Sequence, residues 1–287
     1  MPTMLPLISL VMRETLTGTY APRATEPEAM VEPSQVDAFD REGSENGALL
    51  AIYHFNALAM SQLLPKDGKL LDLGCGSGRY VAYLAQHRPD ITIVGIDLSE
   101  PMLSLGQHNL GQAGLDQRVH LKLGNMTRFA DDVDNKIDLI SGVFSLHHLP
   151  TADALTQCCQ EIAQLRQKYG CGVWLFDFIR PRHPATAATF TQIFSPEASA
   201  VFNADTVHSL HAAFSFEEMS FITNHTFNET LQHAYSRGLN VYQAHWLKPQ
   251  HVNLTREPWI DTPLAPQAAK HFKLLRKVLN LERSYRK

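Results

Sequence analysis

Residues 69–78, Lys-Leu-Leu-Asp-Leu-Gly-Cys-Gly-Ser-Gly, join an apolar, strand-like run to a turn with glycine at positions 74, 76 and 78. Glycine allows a sharp turn and lets the backbone come close to a ligand that a side chain would exclude. A helix-like stretch follows, and the first turn of a helix offers unpaired N–H groups. The segment therefore predicts a nucleotide-type binding turn between a strand and a helix.

A carboxylate follows this turn at a characteristic distance. The apolar run at 91–96 ends at Asp97, which lies twenty-one residues after Gly76. In α/β folds an acidic residue at about this spacing binds ribose hydroxyls. A dinucleotide-binding pattern would need glycine or alanine where this chain has Arg79. The spacing predicts a ribose-binding carboxylate, and position 79 disfavours a dinucleotide.

The Leu-Asp-Leu-Gly-Cys-Gly-Ser-Gly form of residues 71–78 resembles motif I of the class I S-adenosylmethionine-dependent methyltransferases, and the resemblance covers about residues 48–180. It implies S-adenosylmethionine as cofactor and a Rossmann-like, seven-stranded, mostly parallel sheet with helices on both faces. A helical insertion between strands 5 and 6 is also implied. The cofactor-binding residues that it implies are Asp72, Gly74, Cys75, Gly76, Gly78, Asp97, Leu98, Asn125, Met126 and Ser141.

The resemblance also assigns roles around the adenosine. Asp97 would take both ribose hydroxyls, and Leu98 would lie beside the adenine. Residues 124–126, Gly-Asn-Met, stand where the family usually has Gly-Asp and an apolar residue that faces adenine. Asn125 departs from the usual aspartate, although its amide oxygen can still accept a hydrogen bond from the adenine amino group.

Apolar runs alternate with helical patterns along the central chain, which predicts a parallel sheet with helices between the strands. Ligands of such sheets bind beyond the carboxyl ends of the strands. Five segments at such ends should meet in one cleft. The predicted strands are 69–73, 91–96, 118–123, 137–141 and 171–178, and the five segments are 74–78, Asp97, Asn125, 141–148 and 177–180.

The loop at 141–149, Ser-Gly-Val-Phe-Ser-Leu-His-His-Leu, follows the fourth predicted strand. It lacks the Asp/Asn-Pro-Pro-Tyr/Phe of amino-purine and amino-pyrimidine methyltransferases, the paired glutamates of protein arginine methyltransferases and the carboxylates of magnesium-dependent catechol enzymes. The loop resembles the small-molecule branch, without identifying a subfamily. His147 and His148 are candidate general bases, and a structural role is the alternative.

Residues after the fifth predicted strand are candidates for substrate binding. Arg180 could hold a substrate carboxylate through a two-point hydrogen bond, and an ion pair with Asp177 is the alternative. His208 belongs to a polar cluster in the predicted insertion, but no third close ligand accompanies it, so we expect no metal. The expected reaction is methyl transfer to a small polar or carboxylate-bearing metabolite.

Three parts are predicted along the chain. Residues 1–47 form an N-terminal arm, a possible lid with Tyr20 or Phe39 over the cofactor. Residues 48–260 form the methyltransferase domain, with its insertion at about 181–220. Residues 261–287 form a basic C-terminal helix. Within the domain, Ser215 and Glu218 predict a capping box, and the closing strands are expected at 219–235 and 239–247.

The net charge and the apolar runs of the chain indicate which partners it could bind. The 287-residue chain has a formal net charge of -4, which argues against a surface that follows phosphates. The apolar start, residues 1–12, lacks the basic flank and cleavage pattern of a signal peptide, and no apolar run reaches the roughly 18–20 residues that span a bilayer. We expect a cytoplasmic protein with a small-molecule substrate and neither nucleic acid nor membrane as partner.

Two other functions share part of the pattern. A nicotinamide-dependent oxidoreductase also uses a glycine-rich turn and a ribose carboxylate, but Arg79 and residues 124–126 favour a methyltransferase. A non-catalytic partner that binds the cofactor and stabilises another subunit is the other alternative, and Asn125 favours it.

Overall fold

The computed structural model describes residues 4–44, 46–133, 135–250 and 259–279. Within these ranges the strands are β1 Lys69–Leu73, β2 Thr92–Asp97, β3 Val119–Leu123, β4 Leu139–Val143, β5 Gly172–Phe178, β6 Gln232–Tyr235 and β7 Tyr242–Leu247. The α-helices are α1 Met4–Leu16, α2 Pro33–Glu42, α3 Leu50–Ser61, α4 Arg79–His87, α5 Glu100–Gln112, α6 Ala152–Tyr169, α7 Ala185–Phe194, α8 Ala200–Ala212, α9 Phe216–Thr226 and α10 Pro266–Leu279.

All seven strands lie in one sheet, in the order β3-β2-β1-β4-β5-β7-β6. Strands β1 to β5 are parallel, and β7 is antiparallel to both β5 and β6. The order reverses between β1 and β4, which is where an open α/β sheet forms a ligand-binding crevice. The predicted mostly parallel sheet, with helices on both faces and a helical insertion after strand 5, is confirmed.

Alternate residues of β1 pack into different cores, as a strand between two helical layers requires. Leu70 belongs to the core beneath α3, α4 and α5. Leu71 and Leu73 belong to the core beneath α6 and α9. Both faces of the sheet are thus buried, and its carboxyl edge is left to hold the site.

One predicted strand is wrong. Residues 219–235 do not form a single strand, because α9 occupies Phe216–Thr226 and only Gln232–Tyr235 is extended. The capping box of Ser215 and Glu218 is confirmed and starts this helix. Met219, Ile222 and Thr223 are buried at helical spacing along one face. The second closing strand, β7, begins three residues later than predicted.

The N-terminal arm contains two helices. Helix α1 packs against α7 of the insertion, and α2 packs against α8. The composition of the arm gave no indication of α2. This helix starts at Pro33 and buries Val36 and Ala38. The segment between the two helices crosses the carboxyl edge of the sheet, where Ala21 and Ala24 donate backbone hydrogen bonds to the carbonyls of residues 181 and 211.

The C-terminal helix α10 packs against α3 and buries Leu275 and Leu279. The basic helix was predicted over residues 261–287, and the part of it after residue 279 lies outside the described residues. No helix in the described ranges combines the length and the apolar character needed to cross a membrane.

Candidate functional site

A cleft lies at the carboxyl ends of β1, β2 and β4, with an empty volume of about 1090 Å³ that includes space open to solvent. We call the part of the cleft at the glycine turn the nucleotide half. We call the part at the loop after β4 the acceptor half, because the sequence predicts the methyl acceptor there. The predicted residues that line it are Asp72, Gly74, Cys75, Gly76, Asp97, Leu98, Met126, His147 and His148.

The glycine turn follows directly from β1. Gly74, Gly76 and Gly78 have φ angles of +71°, +52° and +70°, in the left-handed region that glycine adopts without strain. The Gly74 N–H donates to the carbonyl of Ile96 at 2.8 Å, which fixes the turn beside β2. Gly78 is the N-cap of α4 and does not line the cleft.

Asp97 connects the turn to the next loop. Its Oδ2 accepts a hydrogen bond from the Gly76 N–H at 2.7 Å, and its Oδ1 accepts one from the Ser99 N–H at 2.8 Å. A carboxylate oxygen can accept two hydrogen bonds, so each keeps one acceptor position for a ligand. The pair of backbone bonds orients the carboxylate at the rim of the cleft, which fits a ribose with two neighbouring hydroxyls.

Asp72 is a buried carboxyl group under the nucleotide half. Its Oδ1 accepts a hydrogen bond from the Ser141 hydroxyl at 2.5 Å. Burial raises the pKa of Asp72 to about 7, although the Ser141 hydrogen bond lowers it. Ser141 is fully buried and contacts this carboxyl group rather than the cleft. The structure thus makes Ser141 a support for Asp72.

The predicted adenine contacts divide into two groups. Leu98 and Met126 line the cleft, with Met102 beside them as a further apolar side chain. Asn125 lies in an adjoining hollow, and its amide oxygen accepts hydrogen bonds from the N–H and the hydroxyl of Thr127, each at 2.8 Å. Both acceptor positions of that oxygen are used by its own turn, so a bond to adenine would have to replace one of them.

His147 lies at the acceptor half between two carboxylates. Its Nδ1 is 2.6 Å from Asp177 Oδ1, and its backbone N–H donates to Asp177 Oδ2 at 3.0 Å. Its Nε2 is 3.2 Å from Glu26 Oε1. Burial lowers the pKa of His147, but the charges of Asp177 and Glu26 outweigh that effect and raise the pKa above its usual value.

His148 differs from its neighbour. Its Nδ1 is 2.9 Å from the Pro27 carbonyl oxygen and 3.5 Å from Glu26 Oε1. Burial, followed by the charge of His147, lowers the pKa of His148 to about 4. Burial also raises the pKa of Glu26 and that of Asp205, another residue of the cleft lining. The acceptor half therefore combines carboxyl groups whose pKa values are raised with two imidazoles whose pKa values are shifted in opposite directions.

The predicted substrate-binding residues are not brought together in the cleft. Arg180 donates to the Ala213 carbonyl at 3.1 Å and to Glu218 at 3.0 Å, and it does not line the cleft. Asp177 accepts a hydrogen bond from His147, with Oδ1 2.6 Å from Nδ1. His208 lies on α8 outside the lining. Their roles toward a substrate stay predictions. The alternative for Arg180, an ion pair with Asp177, is not formed, because Arg180 pairs with Glu218 and Asp177 with His147.

The sequence predicted the N-terminal arm as a lid, but it did not indicate Glu26, Met30 or Arg23 as contributors to the site. Glu26 faces both histidines, and Met30 lines the cleft together with Phe39, which had been predicted as a lid residue. The Arg23 side chain donates to the backbone carbonyls of residues 147, 149, 150 and 212 at 2.6 to 3.0 Å. The only signal in the sequence is the acidic composition of the arm, because Glu26 lies 121 residues before His147.

Comparison with known proteins places the nucleotide half in a family. Residues 70–170 match the family described as methyltransferase domain. The demethylmenaquinone methyltransferase of Lactiplantibacillus plantarum is 32% identical over 141 residues, or 44% of this chain and 59% of that protein. The ubiquinone biosynthesis O-methyltransferase of Pasteurella multocida is 26% identical over 148 residues, or 46% and 60% of the two chains. The chain thus spans less than two thirds of these relatives.

A solved structure shows the same fold. The plantazolicin methyltransferase BpumL in complex with SAH superposes with a TM-score of 0.57 at 12% identity, over 85% of this chain and 95% of that one. The family match, the strand order and the glycine turn beside Asp97 confirm the resemblance seen in residues 71–78. Residues 70–170 of the chain are therefore similar to a methyltransferase domain, and they lie in a sheet whose fold is shared with a methyltransferase of known structure.

Proposed function

We propose that the protein transfers a methyl group from S-adenosylmethionine to a hydroxyl group of a small acceptor with an aromatic or otherwise apolar body. The observation that carries the proposal is the shared cleft, in which the ribose-type site of Asp97 and the imidazoles of His147 and His148 line one cavity. The proposal departs from the small polar or carboxylate-bearing metabolite expected from the sequence, because the acceptor now has an aromatic or apolar body and a single hydroxyl group as its reactive end.

The nucleotide half fits the cofactor. Asp97 keeps an acceptor position on each oxygen for the ribose hydroxyls, and Leu98, Met102 and Met126 offer an apolar surface for a base. S-adenosylmethionine supplies a methyl group on a positively charged sulfur. The residues of the chain align the acceptor with that methyl group and exclude water, and such positioning can supply on the order of 7 to 11 kcal/mol of the barrier.

The acceptor half is apolar with one polar end. The rings of Phe144 and Phe178 stack with centroids 4.4 Å apart, and both line the cleft. Phe202 adds a third aromatic side chain, and the histidines form the polar end. An aromatic body against the phenylalanines would direct a hydroxyl group toward the imidazoles.

A carboxylate-bearing acceptor has less support from the described lining. The arginine of the lining is Arg79, whose guanidinium forms a two-point ion pair with Asp40 at 2.7 and 2.8 Å. Arg180 is bound to Ala213 and Glu218. The name of the Pasteurella multocida relative refers to methyl transfer to oxygen, which agrees with a hydroxyl acceptor.

The first test measures ligand binding and turnover. S-adenosylhomocysteine at about 100 times its Kd should stabilise the protein by about 2.7 kcal/mol, seen as a higher melting temperature. Asp97→Ala should lose this shift, because it removes both ribose acceptors. Asp116→Asn, at an exposed position, is the matched control and should keep it. Transfer of a labelled methyl group is then measured with a panel of phenols and aliphatic alcohols.

The outcomes separate the alternatives. Absence of any melting shift with millimolar cofactor or its demethylated product would contradict the proposal at its base. Binding without transfer to any member of the panel would favour the non-catalytic partner. A fluorescence change of NADH on binding, with no shift from S-adenosylhomocysteine, would favour the oxidoreductase.

A further inference from the structure

Glu26, His147 and His148 come together from two distant segments of the chain, and each offers one ligand atom within 4.8 Å of those of the other two. We propose that these three side chains bind a divalent transition-metal ion at the acceptor end of the cleft. The sequence indicated no metal site, because the third ligand comes from the N-terminal arm. Neither the family match nor the relatives described above assign one.

In its neutral form, His147 can donate a hydrogen bond to only one of the two carboxylates that face its ring. Asp177 accepts hydrogen bonds from the backbone N–H groups of residues 147 and 178. As an acceptor it requires the proton of His147 to be on Nδ1, 2.6 Å away. In the neutral ring, Nε2 then presents a lone pair only 3.2 Å from the carboxylate oxygen Oε1 of Glu26.

That carboxylate oxygen is buried and has no hydrogen-bond partner. The side chain of Glu26 is 8% exposed, so water cannot readily solvate the oxygen. Nε2 of His147 is near enough for an ion pair but is not aligned for a hydrogen bond. Two lone pairs at this distance repel each other unless a cation lies between them, and a metal ion or a second proton on His147 can supply that charge. A metal ion also satisfies the unpartnered oxygen.

The distances fit a common ion. Metal–ligand bonds of about 2.0 to 2.1 Å place neighbouring ligand atoms roughly 3.0 to 3.4 Å apart. The separation from Glu26 Oε1 to His147 Nε2 is 3.2 Å, and one possible ligand atom of each of the three residues lies within 4.8 Å of those of the other two. A set of two histidines and one carboxylate is found in catalytic zinc sites and in non-haem iron sites. Three protein ligands leave at least one coordination position for a hydroxyl group or water.

The surroundings match what metal-binding histidines need. Such a histidine usually donates its other ring N–H to a carboxylate, which fixes the ring and raises its basicity. Asp177 does this for His147, and Arg23 holds the carbonyl of the same residue at 3.0 Å. His148 donates its Nδ1–H to the carbonyl of Pro27, one residue after Glu26, which leaves its lone pair on Nε2 as the metal-binding position. The arm thus supplies Glu26 and orients the imidazole of His148.

The site would also explain how an acceptor hydroxyl is activated. A metal ion acts as a Lewis acid and lowers the pKa of a bound hydroxyl group, which then releases its proton to water and presents its oxygen to the methyl group. This step rests on the proposed methyl transfer. Binding of the metal does not, so the two can fail separately.

The test titrates the chelator-treated full chain with Co²⁺ and Zn²⁺. We expect one equivalent of Co²⁺ to bind with visible absorption bands, and Zn²⁺ to displace it. Glu26→Gln and His148→Asn should each lose stoichiometric binding. Asp177→Asn should weaken it by about 10- to 100-fold. His225→Asn, an exposed histidine on α9, is the matched control and should bind as the unmodified chain does.

The melting shift with S-adenosylhomocysteine is measured on every variant, because it shows whether the fold and the nucleotide half are intact. Lost metal binding with a retained shift supports the site. If the unmodified chain binds no equivalent of either metal, or if both ligand variants still bind one, the proposal is overturned. The charge between His147 and Glu26 is then a proton. Failure of the shift in the unmodified chain would instead contradict the methyltransferase proposal.

Discussion

Gly74 and Gly76 share a left-handed backbone but differ in their surroundings. A Cβ on Gly74 would lie 2.3 Å from the Cβ of Ser145, whereas a Cβ on Gly76 would meet only the ring of Phe39, at 3.7 Å. Gly74→Ala therefore combines backbone strain with a clash and should cost roughly 3 kcal/mol or more of unfolding free energy. Gly76→Ala carries strain alone and should cost about 1 to 2 kcal/mol.

Urea denaturation of the two glycine variants checks this order. Similar losses of stability in both would contradict it. Gly76→Ala should also weaken cofactor binding, because the added methyl group enters the cleft lining beside Phe39.

Asp72 predicts a pH dependence of cofactor affinity. Its pKa of about 7 leaves the carboxyl group partly protonated at neutral pH in the free protein. A bound sulfonium favours the ionised form and lowers that pKa, so binding releases protons and affinity should rise as the pH increases from 6 to 8. One unit of pKa change corresponds to about tenfold in affinity.

Calorimetry in buffers of different ionisation enthalpy measures the released protons. S-adenosylhomocysteine lacks the sulfonium and is the matched ligand control, so its affinity should vary less with pH. Asp72→Asn should remove the difference between the two ligands. An equal pH dependence for both ligands in the unmodified chain would contradict the assignment.

Site residues could be predicted where their separation in the sequence determines how close they lie in the folded chain. Gly76 and Asp97 meet because β1 and β2 are neighbours with a short crossover, and the sequence shows both ends of that unit. Glu26 and Asp205 could not be predicted, because their positions depend on how the arm and the insertion pack against the loop after β4. Asn125 was placed near the right loop, but its side-chain bonds to Thr127 depend on local rotamers.

Among the elements, the segment of the N-terminal arm between α1 and α2 has most of its side-chain hydrogen bonds to the loop after β4 from Arg23. Arg23 donates to four backbone carbonyls, and its guanidinium lies 3.9 Å from the ring centroid of Phe214. Hydrogen bonds to a charged group contribute about 1.5 to 3 kcal/mol each and are not additive. Arg23→Ala should therefore release the arm and cost about 2 to 4 kcal/mol of local stability.

Hydrogen exchange of the backbone at residues 18–32 measures the release of the arm. Arg23→Lys keeps the charge without the planar fork, so its exchange should lie between those of the unmodified chain and Arg23→Ala. Unchanged exchange in Arg23→Ala would show that other contacts hold the arm.

The five central strands were predicted to within two residues, because apolar runs between turn residues mark them directly. The region after β5 was harder. Residues 219–235 contain enough apolar and β-branched side chains to suggest a strand, but the capping box at Ser215 starts α9 and its buried face decides for a helix. Helix α2 was not predicted, since Val36 and Ala38 are its only fully buried apolar residues and Phe39 is only partly buried.

At the scale of the whole molecule, segments outside the matched domain complete the cores. Leu275 of α10 is 2% exposed, and Phe272 packs its ring 4.6 Å from that of His54 on α3. Leu275→Ala should destabilise the protein by about 2 to 5 kcal/mol. Lys273→Ala, at an exposed position of the same helix, should change stability by less than about 0.5 kcal/mol. Thermal unfolding compares them, and equal melting temperatures would mean that α10 is not part of the cooperative unit.

The arm is fastened on both sides of the cleft. Ser99 donates a hydrogen bond to the carbonyl of Met30 at the nucleotide half, and Arg23 binds the carbonyls beside His147 at the other. A molecule wider than the remaining opening of the cleft can enter or leave only when this segment of the arm, from Arg23 to Met30, detaches. The rate of detachment would then set an upper limit on the turnover rate, even if methyl transfer itself were faster. The exchange of the demethylated cofactor for a new molecule of S-adenosylmethionine would have the same upper limit.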